Sequence, residues 1–375
     1  MATKSNPNTL AAKVGRLFVI GFEDPELSVQ TRSMLTKIQP AGVVLFGRNI
    51  NSANQTHQLL KDCQALVSSP LFTCVDVEGG RVDRFRNVNG GTPSAADVFS
   101  TGNKKLCREH GKVIGEFCRA LGFNTDFAPV LDLALEASRS VMSSRAVSPD
   151  PRQTIAYGKQ FLSGLREVGV LGCGKHFPGL GEGNLDSHLQ LPVIAKSFKK
   201  LWDEDMVPYR LLRRQLPFVL ISHAGYPGIT GDNTPATLSK KLITNVLRRR
   251  IGYTGLVISD DMEMGAVLNT VSVEEAAIAH IEAGGDLCLI CRTEELILRA
   301  HEAVRKEVET SAAFARRVRV AATRVEKLKK KLFYSIRWKF PPAPTQRKID
   351  RLSLQLRQFV ENVRLENMRA SQEKS

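Results

Sequence analysis

Short apolar runs alternate along the chain with longer amphipathic stretches, the pattern of parallel strands covered by helices. The runs are RLFVIGF (16–22), GVVLFG (42–47), LFTCVDVEGG (71–80), TDFAPVLDL (125–133), VGVLGCGKHF (168–177), PFVLISHAG (217–225), GLVISDD (255–261) and DLCLIC (286–291). Most intervals hold a segment with helical periodicity, for example NQTHQLLKDCQALV, KKLCREHGKVIGEFCRAL, RQTIAYGKQFLSGLREV, LSKKLITNVLRRRI and VEEAAIAHIEAG, and Gly or Asn stands near several of their ends. Eight strands with intervening helices predict an α/β protein, a (β/α)8 TIM barrel, with an open doubly wound sheet as the competing arrangement. PPAP at 341–344 closes this pattern. Residues 1–340 are therefore expected as one barrel domain, and 341–375 as a C-terminal extension, helical or partly disordered.

A barrel gathers its chemistry at the carboxyl ends of its strands. The third run ends at Asp76 and Glu78, the fifth at Lys175 and His176, the sixth at His223 and the seventh at Asp260 and Asp261. A single strand-end carboxylate often does no more than cap the next helix; convergence of several at the same ends points to a site.

The stretch KHFPGLGEGNLDSHLQLP (175–192) follows the fifth strand as a glycine-punctuated loop. In its DSH triplet, Asp186 and His188 stand two residues apart and fall on one side of an extended segment. A carboxylate beside an imidazole stabilises its protonated form and fixes its orientation, which equips His188 as a general acid/base. A surface hydrogen-bonded pair is the plainer reading of the triplet. Asp260, at the end of an apolar run, is a carboxylate suited to attack an electrophilic carbon. Metal ligation by His176, His188 and Asp186, or by His176, His188 and His223 with the strand-end carboxylates, is the competing chemistry.

Composition narrows the setting. The 375 residues are 42% hydrophobic, enough for a sizeable core. Seven cysteines, at 63, 74, 107, 118, 173, 288 and 291, form no disulfide framework and suit a reducing compartment, with the cytoplasm as the expected location. Cys288 and Cys291 in CLIC read as core packing before redox chemistry. Neither a signal peptide nor a membrane span is indicated. The net charge of +15 is concentrated near the end, with thirteen Lys/Arg against four Glu between Arg299 and Lys339. That excess reads first as the basic outer face of a helix and second as a docking surface for an acidic partner.

Five blocks, VDVEGGRVDRFR, GFNTDFAPVLDL, GKHFPGLGEGNLDSHLQLP, SHAGYPGI and NTPATLS…VLRRRIGYTGLVISDDMEMGA, occur in the same order as in a known family. Through them the chain resembles the bacterial β-N-acetylglucosaminidases (β-hexosaminidases) of glycoside hydrolase family 3, which serve cell-wall recycling, from KVGRLFVIGF to about residue 335. The resemblance implies a retaining glycosidase with Asp260 as nucleophile, His188 as acid/base and Asp186 tuning that histidine. It also implies sugar-binding roles for Asp76, an acceptor, and for Arg84, Arg145, Lys175 and His176 as donors. Where the family usually has His, this chain has Leu180, and Glu182 and Gly183 replace an Asp-Thr pair. These departures alter hydrogen bonding within the loop, whose glycines at 179, 181 and 183 are expected to let it swing over a bound sugar.

The implied reaction is hydrolysis of terminal non-reducing N-acetyl-β-D-glucosamine from muropeptide-like fragments or chitooligosaccharides. No cofactor, metal, nucleic-acid or membrane partner is expected, and oligomeric state is left open. The competing readings are phosphorolysis or β-glucosidase activity on the same fold, a metal-dependent barrel enzyme, and a silent sugar binder.

Overall fold

The computed structural model describes residues 10–183, 190–335 and 338–372. Eight parallel strands close into a barrel in chain order: β1 (Phe18–Ile20), β2 (Gly42–Leu45), β3 (Phe72–Val75), β4 (Thr125–Asp126), β5 (Leu171–Phe177), β6 (Phe218–Ile221), β7 (Leu256–Asp261) and β8 (Leu287–Ile290). Each lies within one of the eight apolar runs, and β8 closes on β1 with Phe18 opposite Cys288 and Ile20 opposite Ile290. The open sheet is thereby excluded.

β4 is the shortest strand. Pro129 has no N–H to give to the ladder, and pairing returns only as a single bridge between Val130 and Lys175.

Side chains alternate through the barrel wall, as the pleat requires. Val19, Val44, Cys74, Cys173, Leu220, Ile258 and Leu289 fill the interior cluster. Ile20, Val43, Leu45, Val75 and Ile290 belong instead to the large cluster beneath the surrounding helices. Cys288 joins this outer cluster and Cys291 the inner one, so the two CLIC sulfurs serve different sides of the wall; all seven cysteines are free and buried.

The covering helices carry the expected start and stop signals. α1 (Val29–Ile38) and α2 (Ala53–Ala65) are capped by Ser28 and Ser52. α3 (Lys104–Leu121) runs from Asn103 to Gly122, and α4 (Pro151–Glu167) starts at Asp150 with proline in its first turn. After β6 the segment Lys241–Arg250 is wound as a π-helix. The basic stretch is broken: α5 (Glu294–Thr310) stops at Ser311, whose hydroxyl accepts from Phe314 N at 3.2 Å and starts α6 (Ala312–Lys330). The C-terminal extension forms α7 (Gln346–Gln372), which lays Leu352, Leu356, Phe359 and Val363 into the same apolar cluster as α2 and α3. Phe359 stacks on His110 of α3, with ring centroids 5.8 Å apart. Among the described residues, no helix is long and apolar enough to cross a membrane.

Candidate active site

The carboxyl mouth of the barrel opens into a cavity of about 440 Å³ whose lining includes Asp76, Arg84, Arg145, Lys175, His176 and Asp260. Residues expected at the ends of β3, β5 and β7 therefore meet there, together with Arg84 from a small hairpin's exit and Arg145 from a 3-10 turn, Ser143–Arg145. Asp186 and His188 lie outside the described residues.

The hairpin Val77–Gly79/Val82–Asp83 follows β3 and turns the chain back across the mouth. Gly79 makes this possible: its φ is +88°, and a Cβ there would stand 2.1 Å from Pro93 O. Asp76 and Glu78 are thereby presented to cations from later parts of the chain. Lys175 Nζ lies 2.7 Å from Asp76 Oδ1 and 2.6 Å from Glu78 Oε1. Arg145 grips Glu78 with two donors, Nε to Oε2 at 2.7 Å and Nη2 to Oε1 at 2.8 Å. Burial works against ionisation of Glu78, but Arg145 and Lys175 outweigh it and hold the carboxyl well below its usual range. Their own protonation is reinforced in return: burial opposes it, and the carboxylates of Glu78 and Asp76 overcome that penalty.

His176 is held from behind by Asp132. Asp132 Oδ2 accepts from the His176 backbone N–H at 3.1 Å and lies 2.7 Å from Nδ1. A carboxylate only accepts, so the ring proton belongs on Nδ1 and Nε2 is left on the far side, 3.5 Å from Arg145 Nη2. The other oxygen, Asp132 Oδ1, accepts from Leu180 N at 2.7 Å. One buried carboxylate therefore fixes both a cavity histidine and the start of the loop that leads to residues 184–189.

Arg84 lies with its guanidinium carbon 5.4 Å from the Phe46 ring centroid, and its buried Nε has no partner within the described residues. Such an orphaned donor beside a cavity is available to a ligand.

Adjacent residues of a regular strand face opposite ways, which predicts that only one of Asp260 and Asp261 reaches the cavity. Both border it. The reason is a bulge: Ile258 pairs with Leu287 but Asp261 with Leu289, so β7 has one residue more than β8 over this interval. Their chemistry nonetheless diverges. Asp261 Oδ1 is occupied by Glu263 N at 3.1 Å and Cys291 N at 3.2 Å, and burial, reinforced by the nearby Glu263 and Asp260 charges, raises its pKa to about 7. For Asp260, burial also opposes ionisation, but His223, His176, the Asp261 N–H and Lys175 together bring its pKa below the ordinary value. Two neighbouring carboxyls whose environments separate their pKa values have distinct proton-transfer roles open to them. Burial lowers the pKa of His223 against the opposing pull of Asp260 and of the Asp260 and Asp261 backbone, and its Nε2 lies 2.9 Å from Asp261 O.

The loop glycines have a packing role beside the one expected of them. Gly179, Gly181 and Gly183 are all buried. A Cβ on Gly179 would approach Asp205 Cβ to 2.5 Å, and one on Gly181 would lie 3.1 Å from Leu133 O. Gly179 and Gly181 thus permit close packing of the loop's first half. Leu180 lines the cavity, and Glu182 lies 3.3 Å from Lys200 Nζ and 3.7 Å from Lys196 Nζ. Lys196 in turn contacts Asp205 at 2.7 Å.

Among the described residues, no cluster of three or more His, Cys, Asp or Glu side chains is arranged to hold a metal. Asp132 is a polar residue behind the mouth that sequence reasoning does not single out, although DFAPVLDL contains it; Glu78 is expected at the strand ends but is given no role there.

The glycosyl hydrolase family 3 N terminal domain matches residues 9–328. A beta-hexosaminidase of Thiobacillus denitrificans is 35% identical over 278 residues, covering 72% of this chain and 77% of that protein. One of Alkalilimnicola ehrlichii is 36% identical over 286 residues, covering 74% and 81%. Among solved structures, a glycoside hydrolase family 3 beta-N-acetylglucosaminidase from Paenibacillus superimposes with a TM-score of 0.85 at 29% identity, over 94% of this chain and 69% of that one. With that match along the barrel, and with cations and carboxylates gathered at its carboxyl mouth, the chain belongs to glycosyl hydrolase family 3 and is a glycoside hydrolase.

Proposed function

We propose that the protein is a retaining exo-β-N-acetylglucosaminidase that releases terminal non-reducing N-acetyl-β-D-glucosamine, with peptidoglycan-derived muropeptides as its physiological substrates. Asp260 attacks the anomeric carbon and forms a glycosyl-aspartate. His188, tuned by Asp186, protonates the leaving oxygen and then takes a proton from the water that hydrolyses the intermediate. Asp76, Arg84, Arg145, Lys175 and His176 hold the sugar. A sugar desolvated among such groups is selected strongly, because each missing partner leaves a buried polar atom unpaired at a cost of about 1–3 kcal/mol.

The observation that carries this reading is the place of Asp260: a half-buried carboxyl facing the same cavity as Arg84, Arg145, Lys175 and the oriented imidazole, with nearby charges lowering its pKa against the effect of burial. Relatives named beta-hexosaminidase support the sugar assignment. Seven free, buried thiols support a cytoplasmic location.

The test is hydrolysis of p-nitrophenyl N-acetyl-β-glucosaminide against the matching glucoside, with and without inorganic phosphate, for wild type, Asp260→Ala and His188→Ala. Release from the N-acetylglucosaminide alone, loss in Asp260→Ala and phosphate independence are expected. Undiminished turnover in Asp260→Ala overturns the mechanism, and formation of a sugar phosphate replaces hydrolysis with phosphorolysis.

A further inference from the structure

A second cavity, of about 420 Å³, lies at the opposite, amino-terminal mouth of the barrel. Its floor is apolar and includes Leu171 and Leu256, the first residues of β5 and β7, together with the buried Leu216 and Leu332. Its lining contains six cations, Arg166, Arg213, Arg214, Arg324, Lys327 and Lys331, and no carboxylate. They come from separate parts of the fold: the end of α4, the turn before β6, α6 and the residue that follows α6. Three of them, Arg324, Lys327 and Lys331, belong to the basic stretch noted in the sequence, and the sugar chemistry proposed for the other mouth makes no use of them.

A solvated basic face spreads its charges over a convex surface or pairs them with acids. Here only Arg324 has an ion-pair partner among the described residues, Asp286 Oδ1 at 3.0 Å; Asp286 also pairs with Arg248. The other five cations have none. Arg213 is tied down by a hydrogen bond to Arg210 O at 2.5 Å. Like charges gathered around a concavity repel one another and create a positive potential that an anion relieves. Guanidinium groups match a phosphate's oxygens in bidentate fashion. The volume lies within the range of small-molecule sites, about 300–1,000 Å³, and the leucine floor suits an apolar body attached to the charged group.

We propose that the amino-terminal mouth is a binding site for a small organic phosphate with an apolar or aromatic body, separate from the catalytic cavity. Ligand chemistry here is set by two elements at once, a cationic rim and a leucine floor, so neither free phosphate nor an uncharged apolar molecule satisfies it alone.

The full chain is titrated calorimetrically with 1-naphthyl phosphate, inorganic phosphate and 1-naphthol, as wild type, as Arg214→Glu/Lys327→Glu and as Asp260→Ala. Both reversed residues are exposed, so the double variant is expected to keep wild-type glycosidase activity, which certifies its fold. Saturable binding of 1-naphthyl phosphate is expected, at least tenfold weaker in the double variant and unchanged in Asp260→Ala, with inorganic phosphate weaker and 1-naphthol weaker still. Equal binding by the charge-reversed variant, binding lost in Asp260→Ala, or no binding at millimolar ligand overturns the proposal. So does retention of the wild type by phosphatidylglycerol vesicles without binding of 1-naphthyl phosphate, which assigns the mouth to a membrane surface instead.

Discussion

Asp132 and His176 are joined through both the backbone and the side chain of the histidine, with Oδ2 3.1 Å from its N–H and 2.7 Å from Nδ1. The relationship sets which ring nitrogen faces the cavity at the carboxyl mouth. In Asp132→Asn one oxygen remains to accept, but the amide nitrogen must face either His176 or Leu180 N, each of which already donates. The variant is expected to lose about 10- to 100-fold in kcat/KM, the equivalent of one hydrogen bond to a charged group at about 1.5–3 kcal/mol. If Asp132 positions a sugar-binding group, KM rises while the melting temperature changes little. A fall in melting temperature with KM unchanged marks a merely structural carboxylate.

Glu78 holds in place one buried cation, Lys175, and one partly buried, Arg145. Glu78→Gln removes the charge that Arg145 and Lys175 share, and breaking a buried ion pair in this way costs about 3–5 kcal/mol. The pH dependence has a definite sign. The folded-state pKa of Glu78 is depressed, so its contribution to stability is present above the unfolded value, 4.5 for a glutamate, and is lost as the pH falls below it. Urea unfolding at pH 7 and pH 3 is expected to show a large wild-type advantage over Glu78→Gln at pH 7 that shrinks at pH 3. An equal difference at both values overturns the charge-network account.

The two carboxyls at the end of β7 make a separable prediction. Asp261 has a folded pKa raised to about 7, so its contribution to stability is full below the unfolded value near 3.8 and lost as the pH rises through 7. Asp261→Asn retains an oxygen for the N–H groups of Glu263 and Cys291 but cannot titrate. The stability difference between variant and wild type should therefore change between pH 4 and pH 7 and be level above pH 8. Hydrolysis should survive in Asp261→Asn and vanish in Asp260→Ala; the reverse result exchanges the roles of the two residues.

The barrel was legible because parallel strands buried on both faces read as unbroken apolar runs, and all eight lie where those runs lie. Less visible were features set by neighbours distant in sequence. A lone Asp132 inside an apolar run looks like a strand-end cap, and nothing local announces His176 44 residues later. Glu78 meets Arg145 67 residues on. The bulge that brings both Asp260 and Asp261 to the mouth exists only in the pairing of β7 with β8. Glycine spacing suggested a hinge because glycine serves mobility and close packing equally well, and the close approach of Gly179 to Asp205 and of Gly181 to Leu133 could not be read from it.

That packing carries its own prediction. Gly179 adopts a φ of +137°, and its Cα faces Asp205, whose Oδ2 contacts Lys196 at 2.7 Å. Gly179→Ala adds both backbone strain and a clash, at about 1–3 kcal/mol. Because the displaced segment leads from Leu180 toward residues 184–189, turnover should fall more than stability. Gly183→Ala has no positive φ, and its nearest neighbour, Leu180 O, is 3.2 Å from the added carbon. Its kcat should stay within a few-fold of wild type. Steady-state kinetics that rank the two variants the other way favour the hinge reading.

Lys329 sits beneath Phe72, its Nζ 5.3 Å from the ring centroid, with Ser69 Oγ at 3.4 Å. Desolvation, aided by the neighbouring Arg16, lowers its pKa from 10.5 to about 7. The unfolded chain therefore binds more protons than the folded one between these values, and the charged form penalises folding most at and below pH 7. Because a tenfold change in proton affinity is worth about 1.4 kcal/mol, stability should rise by several kcal/mol, on the order of 4, as the pH climbs from 7 to 10.5. Lys329→Met removes the titrating group and keeps the apolar stem. It should be more stable than wild type at pH 7 by a few kcal/mol, with the gap closing toward pH 10. Denaturation midpoints measured across that range decide the matter, and a gap that is constant or widens with pH shows that the amine is solvated in the folded protein.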